Sequence, residues 1–271
     1  MKQLIEEEFY KVKKSIGFKG LSPEPISIIM NNNPGNIYVD DSKTPKTALI
    51  WSYGIEGLYL IGDDSNKKTN NDIKEFVDTN IIKEMKEKDY NYFEVSGSTL
   101  SWDKTIREIF EQKGLGAWKQ LTYISDLKTQ KPTLETALTY EIRSIKDGSF
   151  NLYELVNKEY LVNELLLYWS NLDKLKEKGN CFYAVINNEV IGMCYTGFVT
   201  EEMKAIGIET IEKYKGNKVG YNLALMCLDE IVTDGKIPYW DCEDENTASK
   251  RLAEKLGFTK LGEYICHGFR I

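Results

Sequence analysis

The sequence of 271 residues holds one histidine, His267, and its five cysteines (Cys181, Cys194, Cys227, Cys242, Cys266) never form a C-x-x-C pair. Zinc sites draw on clustered Cys and His, so no metal is expected, and the thiols read as reduced core residues. A Ser-His-Asp or Cys-His hydrolase would have to be built on His267, which is expected at the surface or partly buried. No stretch approaches the ~18 consecutive apolar residues of a membrane span. The opening run MKQLIEEE turns acidic at once and lacks the apolar segment of a secretory signal. A cytoplasmic protein without a membrane partner is therefore expected. Basic excess is also missing: 35 basic residues face 42 acidic ones, for a net charge of -7. Nucleic-acid binders show the opposite balance, so nucleic acid is not an expected partner, whereas a cationic small molecule suits an acidic surface.

What is present is enough apolar sequence for one large domain or two smaller ones, at about 150 residues each. The first half predicts a helix over Leu4–Ile16, then strands at Asn36–Asp40, Ala48–Tyr53 and Leu58–Ile61. Apolar positions Ile73, Phe76, Val77, Ile81, Ile82 and Met85 give a helix over Asp72–Lys88. Strand Tyr92–Val95, helix Trp102–Lys113 and strand Trp118–Ile124 follow. The polar, proline-containing run Asp126–Thr136 is the candidate linker, dividing the chain into 1–130 and 131–271. The second half repeats the order: strand Tyr140–Ile145, helix Leu152–Trp169, and a hairpin turning at Asn187-Asn188, residues that tolerate left-handed backbone. Strand Met203–Thr210, helix Asn217–Ile231, strand Tyr239–Cys242, helix Asn246–Leu256 and a ribbon from Phe258 complete it. Both halves are of the α/β (α+β) class.

The most informative stretch is Ile206–Gly220 (IGIETIEKYKGNKVG). A strand runs through a short polar loop into a helix with Val219, Leu223, Met226, Cys227 and Ile231 on one face. Gly216 and Gly220 permit tight turns and close approach. The helix start and Lys213, Lys215 and Lys218 favour a polyanion there. The plain alternative is a solvated turn with ordinary lysines.

This loop is followed by PYWD (Pro238–Asp241), NTAS (Asn246–Ser249) and AEKLGF (Ala253–Phe258). In that order the motifs resemble the GNAT acetyltransferases, and among them the zwittermicin A resistance-type branch, over Ala205–Gly262 and back to Tyr140. The resemblance implies tandem GNAT-like lobes, with mixed, mostly antiparallel sheets flanked by helices. The lobe over 1–130 would be degenerate and the lobe over 131–271 would be the acetyltransferase. Acetyl-CoA would be the acetyl donor. Backbone N–H groups over Lys215, Gly216, Asn217, Lys218, Val219, Gly220 and Tyr221 would hold its pyrophosphate. Its pantetheine arm would run along Ile208–Thr210, where that strand splays from Tyr239–Cys242, and Asn246 and Ser249 would touch it at the next helix start. Asn246 also reads simply as a helix cap. Lys215 stands where the family has Arg or Gln. Lys218 replaces the middle glycine, a change that a helical backbone would tolerate.

Acetyl transfer to an amine calls for a base. Glu202, thirteen residues before Lys215, matches the carboxylate that some GNAT enzymes carry; it reads equally as a loop-end carboxylate. Glu209 should face the opposite side of the strand from Glu202. Lying in an apolar run, it is either functional or paired with a buried cation. Asp241 stands similarly on the neighbouring strand. The family's general-acid tyrosine is replaced by Ala253, leaving water, Tyr221 or Tyr264 for the thiolate. In the first half, the run Gly62–Asn71 shows no comparable phosphate loop. The expected acceptor is a small primary amine, an antibiotic or amino sugar by the resemblance. A CoA-binding or regulatory module without catalysis is the alternative, and a homodimer is left open.

Overall fold

The computed structural model describes residues 1–125, 138–147 and 151–271; the expected linker at Asp126–Thr136 falls outside them. Two compact units emerge, Met1–Gln120 with Glu263–Ile271, and Leu121–Gly262. Against the expected division at 130/131, the first unit thus ends earlier and takes Glu263–Ile271 from the far end of the sequence.

In the first unit, strands lie in the order β1 (Lys2–Gln3), β2 (Gly35–Val39), β3 (Thr47–Ser52), β4 (Gly57–Gly62), β5 (Tyr92–Gly97) and the last part of β12 (Thr259–Arg270). Neighbours are antiparallel except β4 and β5. Helices α1 (Tyr10–Ser15) and α2 (Pro23–Ile29) cover one face, with Val12 and Ile28 packed over Ile37 and Ile50. Helices α3 (Lys67–Phe76), α4 (Ile82–Glu87) and α5 (Leu100–Ile109) cover the other. The sequence offers no helix at α2 because Pro23 and Pro25 read as breakers; both sit in the first turn, where a missing N–H costs nothing. The expected helix over Asp72–Lys88 starts earlier, at Lys67, and passes through a π-helical turn at Val77–Ile81. His267 is not at the surface: it is fully buried on β12 opposite Val95, its Nε2 3.6 Å from Asp103. Burial holds its pKa down at about 4.

In the second unit the order is the end of β6 (Gly116–Ile124), β11 (Ile237–Glu243), β10 (Met203–Thr210), β9 (Glu189–Val199), β8 (Cys181–Ile186) and β7 (Glu141–Ser144). The pairings of β7 through β10 are antiparallel, and β10 with β11 is parallel. Helices α6 (Lys158–Tyr168) and α7 (Leu172–Lys178) cover one face. Helices α8 (Val219–Thr233) and α9 (Thr247–Lys255) cover the other. Asn187 and Asn188 turn the hairpin with φ of 49° and 61°, as their side chains predict. The helix expected from Leu152 begins at Lys158, after a single 3-10 turn. All five cysteines are buried and free. Both units therefore repeat one topology, an antiparallel meander followed by one parallel pair. Each is completed by a strand from the other half of the sequence: β12, after α9, ends in the first unit, and β6, after α5, ends in the second.

Candidate functional site

Strands β10 and β11 pair only over Met203–Ala205 with Ile237–Tyr239. Beyond that the ladder stops, where a bulge shifts the register of β10 against β9 between Ala205 and Ile206. β10 continues alongside β9 alone, Ile206 opposite Thr196 through Thr210 opposite Gly192. The Ile211 N–H donates to the Ile191 carbonyl at 3.0 Å. In an antiparallel ladder, alternate residues turn their backbone groups to the same side. Gly207 and Glu209 therefore bond toward β9, while the backbone groups of Ile208 and Thr210 face the gap left by β11.

β10 leads through a 3-10 turn at Glu212–Tyr214 to Lys215, Gly216 (φ 81°), Asn217 and Lys218, which opens α8. No side chain among the described residues caps this helix. Among the described residues, no backbone carbonyl accepts from the N–H of Gly216, Val219, Gly220 or Tyr221. Helix starts normally satisfy such donors with a cap, water or a ligand. Lys218 is in the left-handed conformation, φ 61° and ψ 14°. The expectation of a helical backbone at this position is corrected: the side chain sits where glycine is preferred, at a cost of about 1 kcal/mol. Lys213 and Lys215 spend part of their charge on neighbours, pairing with Glu189 at 2.8 Å and Glu212 at 2.6 Å. Gly220 faces the end of β10, since a Cβ there would lie 3.3 Å from both Ile208 Cγ2 and Thr210 Oγ1. Val219 puts its side chain in the core, and the Tyr221 ring lies 4.0 Å below the Lys255 ammonium. A ring of open donors with a glycine floor fits a phosphate group.

Across the gap, the Asn246 side chain accepts from the Ser249 N–H at 3.0 Å and so caps α9. The Ser249 hydroxyl accepts from the Trp240 indole at 2.9 Å. Ala253 is fully buried among Leu256, Phe258 and the apolar face of α8, so α9 presents no proton donor at that position. Tyr264 belongs to the first unit.

The structure brings two of the three expected carboxylates to one face. Trp240 and Cys242 pack with α8 and α9, so Tyr239 and Asp241 point to the opposite side, where the Tyr239 hydroxyl donates to Asp241 Oδ2 at 3.3 Å. Glu209 is directly opposite Met193, which packs on the α6 side. Its exposed carboxyl has a pKa raised by partial desolvation and by Glu164, with Lys215 opposing; among the described residues no buried cation pairs with it. Glu202 does not join them. It is exposed and precedes β10, its carbonyl accepting from the Ile237 N–H at 2.9 Å. At ~3.3 Å per residue, about 25 Å separates it from Thr210, and strand alternation with Glu209 does not apply to it.

Four residues that the sequence reading missed gather on this face: Tyr160 and Glu164 on α6, close to Glu209, and Tyr168 on α6 with Tyr195 on β9, which pack together and meet Glu164. A four-residue spacing on α6 was their one local signal. Also missed was Lys204, buried at the paired end of β10 between Asn180 and Asp234 at 2.7 Å each. Among the described residues, no group of three or more His, Cys, Asp or Glu is placed to hold a metal, and no helix is long and apolar enough to cross a membrane.

The chain is 25% identical over 267 residues to the uncharacterized N-acetyltransferase YdfB of Bacillus subtilis (strain 168), covering 98% of both. It shares its fold with a GCN5-related N-acetyltransferase-like protein from Streptococcus suis 89/1591, at a TM-score of 0.68 and 17% identity over 96% of this chain and 98% of that one. A tandem GNAT protein from the clavulanic acid biosynthesis pathway superposes with a TM-score of 0.63 at 9% identity, over 99% of this chain and 97% of that one. A family model for GNAT acetyltransferases matches residues 18–267, nearly the whole length. With the splayed strands and the uncapped helix start, that match makes this chain a member of the GNAT acetyltransferase family.

Proposed function

We propose that the second unit binds acetyl-CoA and acetylates a small primary amine. The observation that carries this reading is the uncapped start of α8, whose open N–H groups stand at the mouth of the β10–β11 gap. The N–H groups of Gly216, Val219, Gly220 and Tyr221 would hold the pyrophosphate, and the backbone of Ile208 and Thr210 the pantetheine arm. Acetyl-CoA supplies an activated thioester: attack by the amine forms the C–N bond, breaks the C–S bond and releases CoA.

Glu209 takes the proton of the acceptor's ammonium. Its raised pKa makes it a better base than an ordinary carboxylate. Asp241, steadied by Tyr239, adds negative charge on the same face. The acceptor class drawn from the zwittermicin A-type resemblance is an antibiotic-like or amino-sugar amine, in the cytoplasm. A second reading, a CoA-binding module without turnover, draws on the burial of Ala253. The two separate on whether CoA is released when amines are added.

The test is a calorimetric titration with acetyl-CoA on the wild type, Tyr221→Pro and Tyr221→Ala. Proline is tolerated in a first turn and deletes one open N–H that makes no bond within the helix. Tyr221→Pro should weaken binding at least tenfold, the loss of one charge-assisted hydrogen bond, with little change in Tm. Tyr221→Ala, which keeps the N–H, should bind nearly as the wild type. Equal binding by all three would remove the helix start from the site.

A further inference from the structure

Tyr160, Glu164 and Tyr168 are spaced four residues apart along α6, which stacks them on one stripe of the helix. The stripe meets β9 and β10. The Tyr195 hydroxyl donates to Glu164 Oε1. The Tyr168 ring packs 5.3 Å from Tyr195 and 5.4 Å from Phe198. Two glycines make room for these rings: a Cβ on Gly207 would lie 2.5 Å from the Tyr195 ring, and one on Gly197 3.2 Å from that of Tyr168. Tyrosine packing thus fixes Glu164 through one oxygen, and nothing described hydrogen-bonds the other.

Glu209 lies on the same face, two residues beyond Gly207, with Tyr160 close to both carboxylates. Neither carboxylate forms an ion pair among the described residues. The nearest opposing charge on Glu209 is Lys215, itself paired with Glu212. Two carboxylates near one another, one of them held in place, are an unfavourable arrangement unless a cation joins them. A single ammonium would satisfy one. Aromatic walls add attraction for a cation.

The geometry points to Glu164 as the residue that selects the acceptor: it receives a second ammonium group while Glu209 faces the amine to be acetylated. The acceptor is then a diamine or an amino sugar with two amines, not a monoamine. This inference rests on the acetyl-transfer reading and narrows its substrate class.

Initial rates with 1,4-diaminobutane and butylamine test it. In the wild type, kcat/KM for the diamine should exceed that for the monoamine by about fivefold, the upper ratio one partly solvated charge pair supports. The difference should reside in KM. Glu164→Gln should raise KM for the diamine relative to butylamine until the two substrates differ by less than twofold, while the accompanying change at Glu209 acts on both substrates alike. Tyr195→Phe, which frees Glu164 but keeps its charge, should lose part of the preference. Equal use of both amines by the wild type, or a preference that survives Glu164→Gln, overturns the assignment. Calorimetry with the diamine alone separates the two readings. Diamine binding that Glu164→Gln weakens, without any CoA release, would keep the cation site and reject the transferase. Acetylation of butylamine without diamine preference would do the reverse.

Discussion

The same strand–loop–helix segment occurs once in each unit, and the two copies treat their backbone groups in opposite ways. In the first unit, β4 stays paired with β5 from Gly57 to Leu60, and the Ser98 N–H extends the contact to the Leu60 carbonyl at 3.0 Å. The Gly62 carbonyl accepts from the Trp102 indole at 3.1 Å. Asp63 accepts from the Ser65 N–H and hydroxyl at 2.9 and 2.7 Å, and Asn66 caps α3 through the N–H groups of Lys68 and Thr69. In the second unit β10 and β11 part after Ala205 and Tyr239, and α8 begins on Lys218 with no side-chain cap among the described residues. One topology therefore yields a sealed segment and an open one. The difference is made by whether the chain's own side chains reach the helix start.

Breaking the seal tests this contrast most severely. Trp102→Ala removes a fully buried ring and should destabilise the protein by about 3–5 kcal/mol in denaturant unfolding. Acetyl-CoA stoichiometry should stay at one, because Asp63 and Asn66 still hold the loop; a second bound equivalent would mean that Trp102 alone distinguishes the units. Asn66→Ala should cost about 1 kcal/mol through the lost cap, without changing acetyl-CoA affinity. An affinity change would make the first unit part of the donor site. Least in size, Lys218→Gly should stabilise by about 0.5–1 kcal/mol by relieving the left-handed backbone, seen as a higher urea midpoint at constant m. No gain would indicate that the strain is offset locally, and the open loop would then be less costly than its geometry implies.

Much of the second unit was legible because its signals are local. β10 spans Met203–Thr210 as its pattern predicts, and α8 follows the glycine-containing loop with its apolar face intact. Asn187-Asn188 turned the hairpin as their chemistry requires. Lys218 was misjudged because a lysine carries no mark of left-handed backbone, whereas a glycine would have. The end of the β10–β11 ladder depends on a bulge with no residue signature. Glu164 and Tyr195 are separated by 31 positions, so their meeting follows from the packing of α6 on β9 and from no local pattern. His267 was misplaced for a similar reason: its burial comes from pairing with β5, far back in the sequence.

The exchange of end strands has a consequence for how the protein is made. The first unit lacks its β12 edge, with Phe269 in its core, until Glu263–Ile271 has emerged. Leu121–Gly262 must be synthesised before that, which at about 5–20 residues per second takes on the order of ten seconds. Throughout that interval β5 has an unpaired edge on a nearly complete sheet, the kind of surface that recruits other chains. The two units therefore cannot mature one after the other along the ribosome. The first to be translated is the one that must wait.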